Sequence, residues 1–169
     1  HADHIDGVEA LREAYGATVV GAAADSHRLP PLDIAVRAGD MVAVGASTGE
    51  VLDVPGHTVG HIAYYFAEAE ALFSADSLMV MGCGRLFEGT RGQMWDSLSR
   101  MAALPGATRV YSGHEYAAAN TRFALSIDED NPALIARAAE IEAARAKGLP
   151  TVPARLDLEL ATNPFLRAR

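Results

Sequence analysis

Six side chains in this sequence carry metal-type donors at repeated positions: His1, Asp3, His4, His57, Asp76 and His114. Each lies where a strand is expected to end or a loop to begin. Such a loop can aim a side chain into a cleft while the sheet holds its base still. Imidazole and carboxylate together suit zinc, iron or manganese, whereas calcium prefers oxygen alone. A thiolate site is excluded because Cys83 is the sole cysteine. One histidine in a loop is ordinarily a solvated polar residue. The stretches "HADH", "PGHTVGH", "SADS" and "SGHEY" follow one another in order, however, and together point to one shared metal site. His27, in "ADSHRLPP", lacks that setting and reads as a surface residue. His61 opens a strand and reads as a core residue or as support behind a ligand.

The elements that must position these donors follow from local pattern. Asp6 with Glu9 three residues later reads as a capping box. The helix it would start carries Val8, Leu11 and Tyr15 on one face and stops at Gly16. "ATVVGAAA" is a β-type run, and "RLPPLDIAVRAGDMVAVG" reads as a loop with short strands around Gly39-Asp40. Strands over 51–54 and 62–66 flank the Gly/His-rich loop that holds His57. "ALFSADSLMVMGCG" is a strand ending in an acid and then glycines, and "TRVYSGHEY" puts His114 just past another strand. Between them, 92–104 has helical spacing through Met94, Leu98 and Met101. From Tyr116 onward the chain is alanine-rich and helical. Its second helix has Asn131 as N-cap, Pro132 at the first position and Gly148 at the stop. Residues 1–115 thus read as a mixed α/β unit and 116–169 as a helical addition. The alternating charges of Arg137, Arg145 and Lys147 indicate a solvated helix face. Cys83, between two glycines, reads as a small packed thiol.

Composition narrows the function classes. A length of 169 residues, half of them hydrophobic, fits one globular domain with a small appendage. A formal net charge of -8 argues against nucleic acid or an anionic membrane surface as partner. No apolar run approaches the roughly 18–20 residues a bilayer span needs. A lone cysteine suits a reducing compartment, so a cytoplasmic protein is expected.

The stretches "HADHIDG", "PGHTVGHI", "SADSLMVMGCGRLFEGT" and "YSGHEYAAANTRFALSID" resemble glyoxalase II, the hydroxyacylglutathione hydrolase family of the metallo-β-lactamase fold. The resemblance implies an αββα sandwich, with its N-terminal part missing, followed by a helical substrate-binding region. It implies two divalent ions, most simply zinc, with iron or manganese as alternatives. His1 and His57 would hold the first ion, Asp3, His4 and His114 the second, and Asp76 would bridge them. The family motif starts earlier than His1 and the family continues past "NPFLR", so a chain cut at both ends is expected. One first-ion histidine of the family would lie two residues before His1. The chain alone is therefore expected to fill at most one ion site well, through Asp3, His4, Asp76 and His114.

The implied reaction is hydrolysis of S-acylglutathione thioesters, S-D-lactoylglutathione above all, by hydroxide generated at the metals in methylglyoxal detoxification. Metal lowers the pKa of bound water from about 15.7 towards about 7 and steadies the charge that grows on the carbonyl oxygen. No nucleophilic Ser or Cys is required. Arg85 matches a family cation that meets the glycine end of glutathione, and Tyr116 matches a family tyrosine near the thiol. Phe87 replaces a tyrosine found in some members, which removes a hydroxyl contact. Read without the resemblance, Arg85 is as readily a solvated loop arginine, and Tyr116 fits packing beneath the helical region slightly better. Two other functions compete: a persulfide dioxygenase of the same fold, and an inactive truncated fragment that binds metal poorly.

Overall fold

The structure, a computed structural model, describes residues 1–168. Two short helices, α1 (Ala2–Ile5) and α2 (Val8–Tyr15), precede a two-stranded parallel sheet of β1 (Val20–Ala22) and β2 (Ile34–Val36). The next strands are β3 (Met41–Val44), β4 (Ser47–Asp53), β5 (Ile62–Phe66) and β6 (Ala71–Ala75). A tight hairpin of β7 (Leu78–Met79) and β8 (Gly82–Cys83) leads into helix α3 (Arg91–Ala102) and strand β9 (Arg109–Ser112). The helical region comprises α4 (Ala117–Ile127), α5 (Pro132–Ala146), α6 (Leu156–Thr162) and α7 (Pro164–Arg167), with β10 (Ala154–Arg155) ahead of α6. The main sheet has six strands in the order β10-β9-β6-β5-β4-β3.

Register explains why the donors converge. β6 and β9 run parallel, with Ala75 opposite Ser112, so the loops leaving both strands emerge at one edge. β5 runs antiparallel to β6 with Tyr64 opposite Phe73, which brings the β4–β5 loop to that same edge. Asp76, His114 and His57 sit on these three loops. A bulge between Phe73 and Ala75 ends the β6 ladder, and Ala75 adopts a left-handed φ of 45° just before Asp76. A non-glycine residue there costs on the order of 1–3 kcal/mol, a cost typical of places where backbone must aim a side chain.

Two apolar clusters hold this edge. One joins Val54, Leu72, Leu78 and Val110 to Met94, Leu98 and Met101 of α3 and to Leu156 and Leu166. The other packs Val80 and Met81 of the hairpin against Ala117, Ala124, Leu134 and Ile141. Helix α5 starts as expected, with Asn131 accepting from the N–H groups of Ala133 and Leu134. On the far side, Val42, Val44, Tyr64, Phe66, Phe73 and Tyr111 line an apolar face of the main sheet, with Val44 68% exposed.

Three local expectations are corrected. Asp6 caps nothing: α1 runs almost directly into α2, Asp6 takes a helical φ/ψ, and Gly7 stands at the N-cap without a side-chain bond. "HADH" is accordingly a helical turn and not a loop. The reciprocal capping box lies instead at Thr90 and Gln93, at the start of α3. Arg137 is not on a solvated face: it is buried and pairs with Glu159 of α6. Arg145 and Lys147, by contrast, are exposed.

Candidate metal centre

All six donors meet at the sheet edge. Asp76 is buried, and its Oδ2 lies 3.0 Å from His4 Nε2, 3.3 Å from His114 Nε2 and 3.4 Å from His57 Nε2. His1 Nδ1 lies 3.2 Å from His57 Nε2. Asp3 Oδ2 is 3.4 Å from His114 Nε2 and 3.8 Å from His4 Nε2. The donor atoms fall into two groups that could each hold an ion: His1, His57 and Asp76, and Asp3, His4 and His114.

The donor chemistry fits divalent metal. Three imidazole nitrogens crowd one carboxylate oxygen, while the other, Asp76 Oδ1, is buried with no hydrogen-bond partner. A buried carboxylate oxygen without a partner is costly unless something cationic meets it. His57 Nδ1 donates to the carbonyl of Arg85 at 2.8 Å, which orients the ring with Nε2 facing the cluster.

Two glycines make the approach possible. A Cβ at Gly113 would sit 2.4 Å from Asp76 Oδ1 and 2.8 Å from His4 Cε1. One at Gly84 would sit 2.0 Å from the Asp76 carbonyl oxygen and 2.9 Å from His57 Nδ1. Neither was singled out in the sequence as part of the site, although Gly113 precedes His114 directly. His61 stays outside the donor set. Its ring centre is 5.7 Å from that of His57, and burial, aided by the neighbouring His57, pushes its pKa down to about 4. His27 is exposed and belongs to neither donor group.

A match over residues 1–114 identifies this half of the chain with the metallo-beta-lactamase superfamily. The chain belongs to that superfamily. Residues 115–169 match a second family description, the hydroxyacylglutathione hydrolase C-terminus. Among curated superfamily relatives, the hydroxyacylglutathione hydrolase of Ruegeria pomeroyi is 64% identical over 99% of this chain and 66% of its own length. This chain thus spans slightly less than two thirds of such relatives. Among solved structures, ETHE1 from Myxococcus xanthus is 34% identical with a TM-score of 0.68, covering 97% of this chain and 58% of that one. TTHA1623 in a di-iron-bound form is 27% identical with a TM-score of 0.64, covering 98% and 73%.

The donor cluster opens into a cleft of about 810 Å³ lined by His1, Asp76, Arg85, Phe87, Tyr116 and Asn120, among others. That volume suits a small-molecule ligand. Arg85 and Phe87 are exposed on its rim. Tyr116 is not packed beneath the helices: it is half exposed and stacks on His114 at 4.7 Å with the rings nearly parallel. The loops of the cleft are zipped together. Phe87 N–H donates to the His57 carbonyl, Gly89 N–H to the Gly56 carbonyl, and Val59 N–H to Glu88. Arg28 grips Glu88 in turn and holds its carboxyl down to about pKa 2. The sequence showed Glu88 and Asn120 only inside the stretches that carry the family resemblance, with no role of its own for either.

Proposed function

We propose that this chain is the metal-binding and substrate-gripping part of a hydroxyacylglutathione hydrolase, which cleaves S-acylglutathione thioesters, S-D-lactoylglutathione foremost, to the acid and glutathione. The observation that carries this reading is the pairing of two donor groups on Asp76 beneath a cleft rimmed by Arg85 and Tyr116. The names of the relatives and the match over 115–169 support it. On this reading residues 1–115 form the metal-binding domain and 116–169 the helical substrate region.

His1, His57 and Asp76 would hold one ion, and Asp3, His4 and His114 the other, with the Asp76 carboxylate shared. Zinc is the ion we propose; the di-iron form of TTHA1623 makes iron the alternative to test. When bound, such ions supply Lewis acidity towards water and the thioester carbonyl. The chain's own residues do the rest. Arg85 O fixes the His57 ring through Nδ1, and Gly84 and Gly113 keep the donor pocket free of side chains. The Arg85 guanidinium pairs with a carboxylate of glutathione, a charge-assisted contact. Tyr116 braces the face of His114 and walls the thiol side of the cleft, with Phe87 opposite as an apolar wall. A thiolate leaves readily, so no side-chain acid is required. Cys83 is no nucleophile, because burial pushes its pKa up to about 11.

The second group, joined by Asp76, offers four donors and the first only three, so Asp3, His4, His114 and Asp76 should take up the first equivalent of ion. Among the described residues no helix is long and apolar enough to cross a membrane. We place the protein in the cytoplasm, in methylglyoxal detoxification. The test is hydrolysis by the zinc-loaded protein and its Asp76→Asn variant. Loss of both ion occupancy and thioester cleavage in the variant is expected. Near-normal turnover by the variant would remove Asp76 from the centre, and oxygen uptake with glutathione persulfide in place of thioester cleavage would replace the proposed reaction.

A further inference from the structure

The turn between β7 and β8 does not hold itself. Val80 and Met81 are buried, Met81 adopts a left-handed φ of 61°, and the polar backbone atoms of this turn are met by side chains of the helical region. Glu159 Oε2 accepts from Met81 N–H at 2.9 Å. The Asn163 side-chain amide donates to the carbonyls of Met79 and Gly82 at 3.2 and 3.0 Å, and to Glu159 at 2.9 Å. Asn120 donates to the Val80 carbonyl at 2.9 Å. Behind them Arg137 pairs with the other oxygen of Glu159 and donates to Thr162 at 2.5 Å. Glu159 and Asn163 are fully buried.

This hairpin is the root of the cleft rim. Two residues beyond it, Arg85 offers its carbonyl to His57 and its side chain to the cleft, and Gly84 N–H donates back to the Ser77 carbonyl. A buried ion pair is a poor source of net stability, since desolvating both charges offsets most of their attraction. What such a network supplies well is a single geometry, because each member left unpaired is expensive. Here that geometry is imposed on a strained turn some 80 residues away in sequence.

We propose that Glu159 and Asn163 are positioning residues for the cleft: from beneath, they fix the 79–85 hairpin and so set where Arg85 meets the substrate carboxylate. The substrate arm of this proposal rests on the glutathione thioester reading; the backbone arm does not.

Amide exchange on the unmodified protein tests the backbone arm. Met81 N–H, although in a turn, is expected to exchange as slowly as the core amides of α5. Exchange at the rate of an exposed loop would overturn the clamp. Asn163→Ser then separates roles, because serine can still cap α7 but cannot reach the two carbonyls. Glu159→Gln keeps an acceptor for Met81 and removes the charge facing Arg137. In both variants, exchange over 79–85 should rise about tenfold and the dissociation constant for glutathione should rise about tenfold, as expected for one lost charge-assisted or buried contact. Helix content should stay unchanged, and the affinities are compared at equal zinc occupancy. Folded variants with unaltered glutathione affinity would overturn the proposal, whatever their exchange. A wild-type protein that binds no glutathione would overturn the thioester reading instead, while Met81 exchange still decides the clamp.

Discussion

Replacing Gly113 with alanine should empty the metal centre while leaving the fold in place. The added Cβ would lie 2.4 Å from Asp76 Oδ1, about 1 Å short of ordinary van der Waals contact, and 2.8 Å from His4 Cε1. Gly113 has no left-handed φ, so its backbone tolerates alanine. Asp76 Oδ1 has no partner to lose and the His4 ring is partly exposed, so both can rotate aside. Off-rotamer displacement of that kind costs about 1 kcal/mol, which a domain of this size survives. The donors suffer more. Metal–ligand distances tolerate only about 0.2 Å, and loss of mere supporting contacts already weakens binding about 10–100-fold. Displacing two donors by about 1 Å should weaken zinc binding at least about 100-fold, or about 2.7 kcal/mol. Calorimetric titration of zinc into the metal-free proteins measures this directly. Thermal unfolding with and without zinc gives a second reading, since the zinc-induced rise in Tm should largely vanish in the variant. A G113A protein that binds zinc like the wild type would refute the reasoning that these donors must meet at this spacing.

Other consequences follow from particular residues. Thr90→Ala should cost about 1 kcal/mol of stability by removing the α3 cap, whereas Asp6→Ala should change denaturant midpoints by little, and the reverse order would contradict the capping geometry. Cys83 should react slowly with iodoacetamide at pH 8, because its thiol is half-buried with a pKa near 11; rapid labelling would refute that environment. Glu88 is held down from its usual 4.5 to about 2, first by Arg28 and then by Val59 N–H. A depressed carboxyl contributes fully above its ordinary pKa and loses that contribution as pH falls towards the folded value. Exchange of Val59 N–H should therefore accelerate between pH 4.5 and 2 beyond the chemical trend, and Glu88→Gln should abolish that acceleration.

Much of the centre was legible because strand ends are written locally. A β-type run followed by Gly, Asp or His marks both the end of a strand and the residue it presents, as at Asp76 and His114. What failed was whatever depends on a partner far along the chain. The charge pattern around Arg137 looked solvated because Glu159, 22 residues on, cannot be seen from one helix. Tyr116 read as packing material because a stacking contact two residues back, on His114, follows from a turn and not from periodicity. Asp6 and Glu9 have the right spacing for a capping box. The turn formed by Ala2–Ile5 leaves Asp6 in a helical conformation, however, and an N-cap needs an extended one. The left-handed Ala75 and Met81 carry no sequence signal at all, since neither is Gly, Asn or Asp.

The most direct single measurement is thioester cleavage by the intact protein against its metal content. With S-D-lactoylglutathione as substrate, free glutathione should appear only when divalent ion is present, should stop on chelation, and should return on adding zinc back. Cleavage that persists in fully metal-free protein, or zinc-loaded protein that leaves the thioester intact, would contradict a metal-dependent thioester hydrolase built on His1, Asp3, His4, His57, Asp76 and His114.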